Sequence, residues 1–265
     1  MTLFQLAVIA IVQGITEFLP VSSSGHLILV PALTGWQDQG LAIDVAVHVG
    51  TLGAVTAYLW RDIFLMLRGM WKPGQVRRNP GLRLIAQLCV ATVPVVIVGG
   101  FILAEAGDML RSAEVVGWAT LGFGILLYLA DRYTVTVNRL EHMTMGRALA
   151  IGIAQVFALI PGASRAGVTI TAARWLGFER TDAARFSMLM SIPTIIAAGA
   201  AASWKLAEEG ATHVWADALV AAGMSFVTAF IAIVLMMGWL RRASFAPFFW
   251  YRMVLGAGIL WWAYS

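Results

Sequence analysis

Long apolar runs alternate along this chain with short polar stretches. Runs at 43–60, 84–104, 114–130, 183–204, 214–238 and 249–264 have the length of membrane spans. About 20 apolar residues cross a hydrocarbon core, and about 17 is the lower limit. Each run therefore predicts a transmembrane helix, two of them at or just below that limit. Two other apolar stretches are broken. One runs from Gln13 through Glu17 and Pro20 to Ser22-Ser23-Ser24-Gly25-His26; the other runs from Gln155 through Pro161-Gly162-Ala163-Ser164-Arg165 to Thr169. In each, a helix-like run stops at a proline, a serine follows three residues later, and a Gly-containing apolar run resumes. Polar breaks inside so apolar a chain have to be buried in protein or line a cavity.

Composition makes the membrane reading firm. The chain is 60% hydrophobic and 12% charged, against about 25% charged in soluble domains. Several of its 11 tryptophans, including Trp60, Trp71, Trp204 and Trp215, lie near predicted span ends, as interfacial anchors do. The one cysteine, Cys89, falls within a span, which excludes a disulfide framework. The start of the chain has no basic n-region, so no removable signal peptide is expected. The net charge of +4 resides in loops, where topology explains it without nucleic acid.

Loop charge sets the predicted orientation. The 61–83 loop carries Arg61, Arg68, Lys72, Arg77, Arg78 and Arg83; the 131–147 loop carries Arg132, Arg139 and Arg147; Arg241, Arg242 and Arg252 are assigned to the last loop. The 105–113 loop has Arg111 beside Glu105 and Asp108, and the 205–217 loop has Lys205 beside Glu208, Glu209 and Asp217. The positive-inside rule places the three basic loops in the cytoplasm and both termini outside. That alternation works only if 3–35 enters and leaves on the outer face and 147–180 on the inner face. The expected fold is an all-α polytopic membrane protein with six full transmembrane helices and two re-entrant helical hairpins.

The two halves match further. Leu121-Gly122-Phe123-Gly124-Ile125-Leu126 resembles Leu255-Gly256-Ala257-Gly258-Ile259-Leu260, and Asp44 and Asp182 both open the span that follows a hairpin. Repeat one (1–131) and repeat two (147–265) each comprise a hairpin and three spans within one membrane domain. Three is odd, so the second copy is inverted. Inverted repeats with broken helices place a site at the midplane, with helix N-termini facing an anion.

The chemistry-bearing residues gather in the hairpins. Gln13 and Glu17, four apart, share a helix face, and an intramembrane carboxylate is a functional candidate. Ser22, Ser23, Ser24 and Gly25 precede an apolar run, a pattern that serves a helix cap or an anion cradle. His26 beside them suits a general base, a phosphate donor, a metal ligand or a structural hydrogen bond. Arg165 is read as the one cation outside the loops, and its planar fork suits phosphate. Ser164 and Thr169 flank it as hydrogen-bond donors or caps. His48, four residues after Asp44, either lines the site or bridges helices. His142 and His213 fall in loops.

These residues resemble the undecaprenyl-pyrophosphate phosphatase, or bacitracin-resistance, family. Its (E/Q)xxxE motif appears as Gln13-Gly14-Ile15-Thr16-Glu17, its PVSSSGH-like segment as Pro20 to His26, and its PGxSRxxxT motif as Pro161 to Thr169. The similarity continues through Asp44–Thr51 and Arg185–Pro193 and covers essentially the whole chain. The resemblance implies inverted repeats with re-entrant hairpins. It also implies removal of one phosphate from undecaprenyl diphosphate at the outer face of the bacterial inner membrane, which recycles the carrier lipid for peptidoglycan synthesis and confers bacitracin resistance. A divalent cation, Mg²⁺ or Ca²⁺, is implied with it.

On this reading Glu17, Ser23, His26 and Arg165 are catalytic. Ser22, Ser24, Gly25, Gly162, Ser164 and Thr169 surround the diphosphate, and Glu17 with Gln13 is the candidate metal site. Gln13, where many relatives carry Glu, weakens a paired-carboxylate metal site. The implied partners are a long-chain polyprenyl diphosphate and the bilayer; a homodimer is left open. The competing expectation is a lipid or solute transporter of the same symmetry, which would release no phosphate in detergent.

Overall fold

The computed structural model describes residues 2–36, 39–71, 76, 78–105, 112–208 and 215–265. Among them the protein is helical, with eleven α-helices and no strand beyond a single bridge between Asn138 and Phe178. Lys72, Arg77, Asp108, Arg111, Glu209 and His213 lie outside the described residues, as do the side chains of Ser24, Glu105, Lys205 and Glu208.

The first half contains α1 (Leu3–Thr16), α2 (Ser23–Thr34), α3 (Gly40–Tyr58), α4 (Trp60–Trp71), α5 (Pro80–Glu105) and α6 (Ala113–Tyr133). The second contains α7 (Met145–Gln155), α8 (Arg165–Trp175), α9 (Arg180–Glu208), α10 (Trp215–Leu240) and α11 (Ala246–Tyr264). Five of these, α3, α5, α6, α9 and α10, are long and apolar enough to cross a membrane. The sixth expected span, α11, has 19 residues, the same length as α3. It carries the buried Arg252 in its interior and stands outside that set of five.

The broken stretches become helix pairs. The helix α1 has 14 residues and α2 has 12, so at about 1.5 Å per residue neither exceeds about 21 Å. Both α7 and α8 have 11 residues. All four are shorter than the roughly 30 Å hydrocarbon core. Within each pair the helices pack on one another. Local chemistry explains the starts: Thr2 and Gln5 form a capping box on α1, and Thr144 caps α7.

One region departs from the expected loop at 61–83. Residues 60–71 form α4, whose apolar face exposes Phe64, Leu65, Leu67, Met70 and Trp71. Its Asp62 is buried and ion-paired with Arg185 of α9. Counting the charges missed the helix because an amphipathic surface helix carries basic residues at the same density as a basic loop.

The halves are interlocked rather than side by side. The strongest helix packing crosses between them: α3 on α10, α6 on α11, α1 on α10 and α5 on α7. One core draws on both halves, including Phe18, Val55, Leu88, Ile151, Ile170, Phe186 and Ile233. Close approach depends on small residues, as apolar solvent requires. A side chain on Gly50 would strike the Ala222 carbonyl of α10, and one on Gly152 the Ala91 carbonyl of α5. This interlocking brings the turn of one hairpin against that of the other.

Candidate active site

The site grows out of two matched turns. After α1 the chain turns through residues 17–22 and restarts as α2; after α7 it passes through a 3₁₀ turn at Val156–Leu159 and restarts as α8. The only non-glycine residues with positive φ among those described are Ser22 (φ 76) and Ser164 (φ 70), one just before each restart. In both, the serine Oγ accepts the backbone N–H three residues on: Gly25 N–H at 3.4 Å and Gly167 N–H at 3.1 Å. The equivalent caps are thus Ser22 and Ser164, and Ser23 corresponds to Arg165. Spacing from the proline alone had suggested Ser23 as the partner of Ser164. The cap lies two residues after Pro20 in the first hairpin and three residues after Pro161 in the second, so equal spacing from the proline points one residue too far in the first.

Glu17 is the centre of the site. It is buried and faces four side chains. Arg165 donates from Nη2 to Oε1 at 2.9 Å. Gln13 Nε2 and Ser23 Oγ each donate to Oε2 at 2.9 Å. His48 Nε2 lies 3.9 Å from the same oxygen. The first residue of α2 and the first residue of α8 therefore reach the same carboxylate. A carboxylate and a guanidinium this deeply buried are a large cost unless paired and hydrogen-bonded, and here they are both.

Arg165 is held from a second side. Its Nη1 donates to the Ser187 carbonyl at 3.2 Å and its Nη2 also reaches the Glu17 carbonyl at 3.4 Å. The Phe18 ring lies 5.8 Å beneath the guanidinium. A guanidinium has five N–H donors. The contacts among the described residues use three, which leaves Nε–H and one Nη1–H for an anion. Ser187 was not singled out by sequence reasoning. Its signal was present only as part of the matching segment Arg185–Pro193.

A cleft of about 280 Å³ opens above this pair. Glu17, Arg165 and His48 form its polar end. Leu41, Val45, Ile195, Ala198 and Ala202 of α3 and α9 form apolar walls, with Asp44 at the side. Asp44 accepts a hydrogen bond from Gln39 at 2.8 Å, and its backbone carbonyl is 2.7 Å from His48 Nδ1. Of the two alternatives for His48, the structure supports lining the site. A polar floor under apolar walls suits an amphiphile with an anionic head.

The other expected residues take different places. Among the described residues no hydrogen bond joins the His26 ring to Ser23 or Glu17. Its Nδ1 is 2.7 Å from the Ser22 carbonyl, and its Nε2 is 2.5 Å from the Tyr251 hydroxyl, with the two rings stacked. Thr169 is fully buried and bonds Ser187 Oγ at 2.7 Å and the Arg165 carbonyl at 2.8 Å, so it fastens α8 to α9. Gly162 has φ 92, and a side chain there would run into the Val116 carbonyl of α6. Gly25 packs against Ser22 within its own turn. Arg165 is also not the only cation within the helices. Arg252, assigned to the last loop, lies fully buried in α11, and Arg174 is buried in α8 against Asp131 at 3.1 Å.

Comparison with known sequences identifies the scaffold. Residues 6–258 match the profile described as "Bacitracin resistance protein BacA". The chain belongs to the bacitracin resistance protein family. Relatives aligned over its full length include proteins named undecaprenyl-diphosphatase from Ruegeria pomeroyi, 51% identical, and Roseobacter denitrificans, 49% identical, each covered completely. A third, "Undecaprenyl-diphosphatase 1" from Rhodospirillum rubrum, is 48% identical with 96% of its length covered. The matched residues include both hairpin turns and the residues that line the α3–α9 cleft.

A divalent cation can be tested against the residues at the site. Gln13 Oε1 is a buried oxygen without a hydrogen-bond partner, and it stands on the same helix face as Glu17. Among the described residues no cluster of three or more His, Cys, Asp or Glu could hold a metal ion. One carboxylate and one amide oxygen make too small a set for a protein-only cage. They suit a cation that keeps waters and shares its coordination with substrate phosphate, as Mg²⁺ does.

Proposed function

We propose that this protein hydrolyses undecaprenyl diphosphate to undecaprenyl phosphate and inorganic phosphate. The carrying observation is the pairing of Glu17 and Arg165 at the polar end of an apolar cleft, with Ser23 hydrogen-bonded to the same carboxylate. Phosphoryl transfer needs little covalent help and much positioning and charge neutralisation. Arg165 takes the terminal phosphoryl oxygens with its remaining donors. The first-turn amides of α2 and α8 add partial positive charge. The prenyl chain follows the apolar walls of the cleft toward lipid.

Ser23 is the nucleophile on this reading. Its Oγ already donates to Glu17 Oε2, so Glu17 takes the proton as Oγ attacks the terminal phosphorus and the lipid phosphate leaves. Water then cleaves the phosphoserine and releases inorganic phosphate. His26, held by Tyr251 and the Ser22 carbonyl, shapes the α2 turn instead of deprotonating Ser23. Glu17 and Gln13 would hold the divalent cation. When bound, the cation neutralises charge on the diphosphate.

The charge count and the helix lengths support the proposed membrane arrangement. Six spans and two re-entrant hairpins, related by an inverted repeat, account for α1/α2 and α7/α8 being too short to cross. Arg61 and Arg68 of α4, Arg132 in the last turn of α6 and Arg139 beyond it support a cytoplasmic face there. The cleft is lined near the start of α3 and toward the end of α9, which supports a mouth at the outer face of the inner membrane, the side proposed for both termini. The test is phosphate release by purified protein in detergent from long-chain prenyl diphosphate, with and without chelator. Release that depends on Arg165 and Glu17 is expected. A protein that moves lipid in vesicles but releases no phosphate in detergent would be the transporter instead.

A further inference from the structure

Arg252 stands where no loop reading placed it. It is fully buried in α11, and among the described residues no carboxylate pairs with it. Every partner is a main-chain carbonyl. Nη1 donates to Pro20 at 3.3 Å and Ala163 at 3.1 Å. Nη2 donates to Gly162 at 3.0 Å, Ala163 at 3.2 Å and Ala119 at 3.4 Å. Nε donates to Thr120 at 3.0 Å. Pro20 belongs to the first hairpin turn, Gly162 and Ala163 to the second, and Ala119 and Thr120 to α6. A single nitrogen, Nη1, thus joins the two turns, at Pro20 two residues before Ser22 and at Ala163 one residue before Ser164.

We infer that Arg252 is a positioning residue for hydrolysis: it holds both hairpin turns in the register that sets Arg165 against Glu17 and Ser23. The inference rests on the proposed site. The neighbouring residue strengthens it, because Tyr251 holds His26 of the same first turn. The surroundings are shaped to the guanidinium. Gly167 leaves room for Nη1 and Gly124 for Nε and Cβ; a side chain at either glycine would meet Arg252. Only arginine supplies a planar fork of five donors; a lysine ammonium has three on a flexible stem. Misplacement of reacting groups by about 1 Å costs roughly 100-fold in rate. The energetic logic is that a buried cation whose acceptors are turn carbonyls fixes backbone, not substrate.

The experiment measures kcat and KM for prenyl diphosphate hydrolysis in detergent, with thermal unfolding followed by tryptophan fluorescence. Arg252→Lys is compared with wild type, and the same change is made in an Arg165→Lys background. The expected result is a folded Arg252→Lys protein with kcat lowered roughly 100-fold and KM within about twofold, since the reacting groups and not the binding walls are displaced. In the Arg165→Lys background the further loss should be under about threefold, because Arg252 acts through the placement of Arg165. Gly167→Ala, which crowds Nη1 without removing the guanidinium, should lower kcat in the same sense. Losses that multiply fully between positions 252 and 165, or wild-type kcat in folded Arg252→Lys, would overturn the inference. So would failure of both Arg252→Lys and Gly167→Ala to fold, which would assign Arg252 to stability alone. If Arg165→Lys by itself retains wild-type turnover, the proposed site fails first, and that outcome is visible before position 252 is tested.

Discussion

The two hairpin turns share a backbone and differ in what they carry. Both have a buried glutamine nine residues before a capping serine, Gln13 before Ser22 and Gln155 before Ser164, and both caps have positive φ. The side-chain oxygen of each glutamine is buried without a partner. The frame is therefore duplicated in detail. At the position where the first turn has Glu17, the second has Leu159, and where the first has Ser23 the second has Arg165. The pair teaches that the fold uses the strained cap twice, whereas the proposed chemistry needs each charged group once. A copy of Glu17 in the second turn would place two carboxylates at one anion site, and a copy of Arg165 in the first would repel the original.

Breaking the difference between the turns should have the largest effect. Arg165→Ala and Glu17→Ala should each lower turnover by about a thousandfold or more, since each leaves a buried, uncompensated partner and removes transition-state charge balance. Phosphate release under saturating substrate checks both. Near-normal turnover in either would detach the chemistry from the turns. Ser23→Ala should lower turnover at least about 100-fold with unchanged unfolding temperature, because the hydroxyl is the reacting group of the proposed mechanism and is not the cap. A trapped phosphoserine at position 23 in wild type, absent in the variant, would confirm the assignment.

Breaking the likeness should cost stability first. Gly162→Ala combines positive φ with a collision against the Val116 carbonyl and should destabilise by several kcal/mol, on the order of 3. Unfolding of the purified variant in detergent reads it. Ser164→Ala removes a cap and should cost about 1 kcal/mol, with turnover falling as Arg165 loses its anchor. The smallest effect is expected from Ser22→Gly, a few tenths of a kcal/mol, because relief of the positive φ offsets the lost cap. A loss in Ser22→Gly as large as in Ser23→Ala would mean that the first turn is not the frame described.

Much of the site was legible because its residues violate their surroundings. Glu17 and Arg165 are charges in apolar stretches, and the serines follow helix breaks, so each stood out in one dimension. His48 could be placed only once α3 and α9 packed, since a histidine inside a span reads the same whether it faces lipid, protein or a cleft. Thr169 looked like a phosphate ligand by position, yet its hydroxyl meets Ser187. His26 looked like a base for Ser23, yet the ring turns to Tyr251, 225 residues away.

Local chemistry was sufficient to predict the apolar helices, their polar breaks and the residues able to handle a phosphate, because length, hydropathy and charge act within a few turns of chain. It could not say that Arg252 is a core residue, that 60–71 is a helix, or that Ser22 and not Ser23 is the counterpart of Ser164. Those answers depend on partners far away in sequence: turn carbonyls from both hairpins for Arg252, Arg185 for Asp62 of α4, and the backbone twist at each turn for the serines. Burial of a charge is decided by who neutralises it, and the neutralising groups meet only when the two halves interlock.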